Sequence, residues 1–227
     1  MMKILRGNLR MCLDELGLVL AAVLAGPVIG GIIQYFISRA SEESVGGIMT
    51  LLSLMLGAVC LLFMGIFTTS FHFQMMVEMG RTRKEFMVNR LIISWIMAIA
   101  FYALSFVVYI AEKSWYRVLE MDFGILFKPV CMLGIIFVIT GTGAICEAVI
   151  IRFGSRAKIV LWCLWMVMCL APTQLVNRID WIETTVAGKN IIQFLAGLDA
   201  TQWSMLGMVC GLVFYVACFL IYRKQEA

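Results

Sequence analysis

Six stretches of this 227-residue chain are apolar for long enough to cross a lipid bilayer: Leu16–Ile37, Ile48–Phe71, Leu91–Ala111, Pro129–Ile151, Ile159–Val176 and Ser204–Tyr222. A bilayer core takes about 20 helical residues at about 1.5 Å each. Only helices and closed barrels satisfy their backbone groups in lipid, and these runs lack the two-residue alternation of a barrel. The predicted fold is therefore an all-α integral membrane protein, one transmembrane domain over residues 1–227 with six spans. The fifth run, at 18 residues, is the shortest.

Composition removes the competing classes. Hydrophobic residues make up 63% of the chain and charged residues 14%, against roughly 45–50% and ~25% in soluble domains. A domain of this size has no interior able to hide so much apolar surface, so soluble, disordered and disulfide-scaffold folds are excluded. The 18 Lys and Arg residues cluster between the runs, which is a topology signal and not a nucleic-acid groove. Twelve fall on one side, in the clusters Lys3/Arg6/Arg10, Arg81/Arg83/Lys84/Arg90, Arg152/Arg156/Lys158 and Arg223/Lys224. Arg39, Lys113, Arg117, Lys128, Arg178 and Lys189 fall on the other. That asymmetry predicts a multi-pass protein of the cell (plasma or inner) membrane with both termini cytoplasmic. The first run exceeds a signal-peptide core and no cleavage pattern follows it, so it reads as a retained span.

Residues 1–15 have the pattern of an interfacial helix. Leu5, Leu9, Cys12 and Leu16 recur at helical spacing, with Lys3, Arg10 and Asp14 on the other side. The alternative is a plain extension of the first span. Gly26-Pro27 and Gly30-Gly31 predict a kink in that span and the close approach of a neighbour. Ser38–Gly47 is a short external loop, and 112–128 is a longer external segment of mixed charge without catalytic pattern. Between Asn177 and Trp203, Ile191, Phe194, Leu195 and Leu198 form one helical stripe, and Gly188 separates them from Ile179, Ile182 and Val186. Two short external amphipathic helices fit this pattern, as does an ordered loop held at the interface by Trp181 and Trp203. Asp199 and Gln202 are spaced to cap the last span.

One segment carries a mechanism. From His72 to Arg90 the chain leaves the second span and enters the third. Gly80 is suited to ending a helix, and Thr82 with Glu85 has the spacing of a capping box, so a new helix is expected to begin at Arg83. The expected result is a short basic helix lying across the end of the second span. Phe86 and Met87 would form its apolar side, and Arg81, Arg83 and Lys84 its charged rim. Such a surface suits a groove on a soluble partner; an ordinary positive-inside loop explains the charges but not the order of glycine and cap.

Met79-Gly80-Arg81-Thr82-Arg83-Lys84-Glu85-Phe86 resembles the Gly-x-x-Arg-Lys-x-Phe signature of ABC transporter type-two permeases. The layout of the chain is similar to theirs throughout, and most similar to small bacterial permeases that export peptides, lantibiotics or other antimicrobials. The resemblance implies a half-transporter: two copies pair, as a homodimer in the simplest case, and two ABC ATPase subunits bind beneath. Gly80, Arg81, Thr82, Arg83, Lys84, Glu85 and Phe86 would form the coupling helix that receives the ATPase stroke. The chain contains no G-x-x-x-x-G-K-[ST] loop, so ATP and magnesium belong to the partner. No catalytic residue, metal or cofactor is expected on this chain.

Glu147 is the ionisable residue inside an apolar run. Such a charge is a functional candidate by default, here a carboxylate on the path of a cationic substrate. The structural alternative places it near the cytoplasmic end of the fourth span, five residues before Arg152, snorkelling toward water. The eight cysteines contain no C-x-x-C pair, and His72 is the one histidine; both facts favour packing over metal chemistry. A membrane-embedded enzyme would need more than Glu42-Glu43, with no second His and no G-x-S-x-G. A non-transporting immunity, regulatory or anchoring protein is the alternative function, and it would need no ATPase.

Overall fold

The computed structural model describes residues 2–41, 46–78, 82–116, 123–154, 156–164, 166 and 197–223. Among them every element is helical: α1 (Met2–Ser41), α2 (Ile48–Glu78), α3 (Arg83–Trp115), a 3-10 turn at Phe123–Phe127 and α4 (Pro129–Phe153). Helical residues 156–164 form α5, and Ala200–Arg223 forms α6. Four stretches are long and apolar enough to cross a membrane: Leu13–Arg39, Glu85–Trp115, Pro129–Phe153 and Ala200–Ile221. α2 is 31 residues long and is apolar over Ile48–Met64. The end of the fifth expected run, and most of the pair of helices expected between Asn177 and Trp203, lie outside the described residues.

Two expectations about helix breaks are corrected. The interfacial helix expected at residues 1–15 is not separate, because α1 runs without interruption from Met2 to Ser41. The reason is register. In the sequence, the spacing of Leu5, Leu9, Cys12 and Leu16 continues in phase into Val19, Val23, Gly26 and Gly30, so the helical period has no break at Leu16. Pro27 sits inside α1 without ending it, as neighbouring helices permit in membrane proteins. Likewise, the basic helix that begins at Arg83 does not stop before the third span; it forms the first two turns of α3. No glycine or proline occurs between Thr82 and Leu91, and Phe86, Arg90, Met97, Phe101, Ser105, Val108 and Glu112 make one buried stripe.

The helices pack as two tight pairs, joined by contacts of α2 with α4 and by α3. α1 lies against α2, and α4 against α6. Without a hydrophobic drive between helices in lipid, close backbone approach supplies the attraction. A Cβ on Gly26 would lie 2.5 Å from Ser53 Cα, and one on Gly30 2.8 Å from Met49 Cα. In the second pair, a Cβ on Gly134 would lie 2.6 Å from the Ser204 carbonyl oxygen, and one on Gly211 2.5 Å from that of Phe137. The close approach expected around Gly26 and Gly30 is therefore present. α3 closes the core between the pairs, where Val19 and Val23 meet Ala98, Phe101, Tyr102 and Ile136. Apolar side chains facing outward, such as Leu24, Val28 and Ile32 on α1 and Val209, Val213 and Val216 on α6, suit contact with lipid tails.

Candidate functional site

The beginning of α3 is built by its cap. Thr82 is extended (φ −75°, ψ 149°), and its hydroxyl accepts from the Glu85 backbone N–H at 3.2 Å. The first α-helical bond follows, from Phe86 N–H to the Thr82 carbonyl at 3.1 Å. The start expected at Arg83 is thus observed. Glu85 is exposed, whereas Phe86 is 3% exposed. That burial corrects the expected apolar docking face: the Phe86 ring packs inside its own chain. Met87 likewise turns inward, against Ala144, Ala148 and Cys218. Gly80 and Arg81 lie outside the described residues; of Arg83 and Lys84 the helical backbone alone is described.

Two turns into α3, Arg90 is the centre of a buried ionic cluster. Its Nη1 donates to Glu15 Oε2 on α1 at 2.8 Å, and its Nε donates to Glu147 Oε1 on α4 at 2.9 Å. Arg90, Glu15 and Glu147 are 6%, 4% and 5% exposed. Glu147 therefore does not snorkel. A guanidinium meets it inside the fold, which offsets the penalty of a lone charge in an apolar medium. Beside this pair, between α2, α3 and α4, is a cavity of about 20 Å³ lined by Ser94, Met97, Thr140 and Gly143 together with Arg90 and Glu147. That volume holds one water molecule, far less than a peptide needs.

Polar contacts continue one turn further in. Trp95 Nε1 donates to the Tyr215 hydroxyl at 3.0 Å, and that hydroxyl also pairs with Thr140, whose own hydroxyl donates to the Ile136 carbonyl at 2.6 Å. These bonds tie α3, α4 and α6 together above the ionic cluster.

At the opposite end of α3, the Glu112 carboxylate caps α2. It accepts from the backbone N–H groups of Gly47 (2.8 Å), Met49 (3.1 Å) and Thr50 (2.8 Å), and from the Thr50 hydroxyl at 2.6 Å. Gly47 adopts φ 109°, a conformation cheap only for glycine, and this turns its N–H into the same nest. A negative group at a helix N-terminus is favourable for both the orphan donors and the helix dipole. Among the described residues no group of three His, Cys, Asp or Glu side chains could hold a metal ion, and six cysteines are free thiols.

Sequence patterns singled out Glu147 but missed its partners. Arg90 counts among the loop charges that set topology, and Glu15 is not singled out by any pattern. A signal was present: each abuts the end of an apolar run, at the depth of Glu147, and their signs alternate. No family model, curated protein or solved structure matches the chain.

Proposed function

We propose that the chain is the membrane-spanning subunit of an ATP-driven ABC exporter. It crosses the cell membrane six times with both termini cytoplasmic, pairs with a second copy, and is driven by two separate ATPase subunits. The cargo is a hydrophobic or amphipathic peptide or antimicrobial. The observation that supports this most is the helical hairpin of α2 and α3. α2 continues to Glu78 and α3 starts at Arg83, so both helices extend beyond the apolar runs that end at Phe71 and begin at Leu91. At about 1.5 Å per residue each helix runs on for about 10 Å, and the sequence between and beside their ends carries Arg81, Arg83 and Lys84. A basic segment between two extended helices suits docking on a soluble motor. Since Phe86 is buried in its own chain, the docking chemistry rests on the basic residues.

The test is purification of the chain from its native membrane in a mild detergent. The expected preparation contains a Walker-loop ATPase in equal copy number and hydrolyses ATP, and the double variant Arg81→Ala/Arg83→Ala loses transport per ATP while keeping its thermal stability. A chain that purifies as a monomer without ATPase overturns the proposal and leaves the non-transporting reading.

A further inference from the structure

The geometry points to Arg90 as the positioning residue that delivers movement of the start of α3 to α1 and α4 together, through a joint of one guanidinium and two carboxylates. This rests on the coupling role proposed above. Three observations carry it. First, α3 is unbroken from its Thr82 cap through Arg90, a distance of about 12 Å at the helical rise. A helix this short is stiff, so its capped start and Arg90 move as one body. Second, Arg90 uses different nitrogens for its two partners, Nη1 for Glu15 and Nε for Glu147. Those carboxylates belong to α1 and α4, helices that otherwise scarcely touch. α2 packs against both of them, and Arg90 adds from α3 an ionic contact to each. Third, the cavity beside Arg90 and Glu147 carries the hydroxyl-bearing residues Ser94 and Thr140 and the side-chain-free Gly143. It leaves space for one water molecule beside the pair. Packed cores respond to small displacements by switching between discrete arrangements, and a water-sized space beside the ion pair lets it take up such a displacement.

The chemistry requires arginine. A planar fork reaches two carboxylates at once, whereas the lysine ammonium is a single point charge on a flexible stem. Arg90→Lys therefore keeps the charge and loses the simultaneous grip. The neutral triple variant Glu15→Gln/Arg90→Gln/Glu147→Gln removes the joint without leaving a lone buried charge, so it keeps the test valid should single removals fail to fold.

The experiment places nitroxides on the exposed positions Leu18 of α1 and Phe153 of α4, attached through a genetically encoded ketone side chain so that the native cysteines stay. Pulsed electron resonance in nanodiscs then reads the α1–α4 distance. The expected outcome is a narrow distribution for the parent chain and a broadened one for both Arg90→Lys and the triple variant, at unchanged gel-filtration profile. In the ATPase complex, Arg90→Lys is expected to keep basal hydrolysis and lower export per ATP by about tenfold, an ordinary size for coupling between sites. A purely structural defect would lower both in proportion. Distributions as narrow as the parent's in both variants overturn the joint and leave the exporter reading intact. Broadening in a chain that binds no ATPase overturns the exporter reading and leaves the joint standing.

Discussion

Glu112 shows how one side chain sets the position of a helix. Its carboxylate accepts three backbone N–H groups and a hydroxyl from the start of α2 while 2% exposed. Glu112→Gln replaces an all-acceptor group with one that presents an NH₂ to donors, so a clash of donors replaces part of the cap. Hydrogen bonds to a charged group contribute about 1.5–3 kcal/mol, and a loss of that order is expected as a lower unfolding temperature in detergent. Glu112→Asp keeps the charge but shortens the reach, and is expected to fall between. Stability of Glu112→Gln equal to the parent's would show that water replaces the carboxylate at that terminus. The contrast with the local caps explains what a sequence discloses at this scale. Thr82 with Glu85, and Asp199 with Gln202, are legible because their partners lie three residues apart, and both form: Gln202 Oε1 accepts from Asp199 N–H at 3.0 Å. Glu112 acts on residues 62 to 65 positions away, and Arg90 bonds Glu15 across 75 and Glu147 across 57. No local pattern encodes those separations.

Helices behave the same way. The starts at Ile48 and Pro129 coincide with the starts of apolar runs, because Gly47 with its positive φ and a first-turn proline are local stop and start signals. Continuity across Leu16 was one of two open readings and continuity across Leu91 was not legible, since a change from polar to apolar composition resembles an element boundary. Glycines mark the interfaces, but sequence alone does not distinguish those in contact from those facing open space. Gly134 and Gly143 separate the two cases on one helix. A Cβ at Gly134 would meet the Ser204 backbone at 2.6 Å, whereas one at Gly143 has nothing within 4 Å. Gly134→Ala must push α6 away, an overpacking cost of about 1–3 kcal/mol. Gly143→Ala gains helix propensity, about 0.8–1 kcal/mol, and is expected to be neutral or stabilising. Thermal unfolding of the two variants side by side checks this; equal destabilisation would mean that the α4–α6 contact is not backbone on backbone.

At the scale of the molecule, α3 joins two buried polar clusters. Its first turns hold the Arg90 cluster and its last turn holds the Glu112 cap, so one helix of 33 residues fixes α1 and α4 at one end and α2 at the other. The proposed exporter needs those two ends to face different compartments. The proposed orientation makes that a definite expectation. Thr82, exposed beside the basic segment, belongs in the cytoplasm, and Trp115, 81% exposed at the far end, belongs outside. With Thr82→Cys or Trp115→Cys introduced singly into intact cells, a membrane-impermeant maleimide is expected to modify Trp115→Cys at once and Thr82→Cys only after permeabilisation. Background from the native thiols is read from the parent chain; Cys163 and Cys210, the exposed ones among the described cysteines, lie in apolar stretches where a charged reagent reacts slowly. The reverse pattern would place Arg81, Arg83 and Lys84 outside the cell, where no ATP-hydrolysing partner could reach them. Labelling of both positions from outside would mean that α3 does not span the membrane. Either result would disconnect the Arg90 joint from any cytoplasmic motor, whatever its effect on stability.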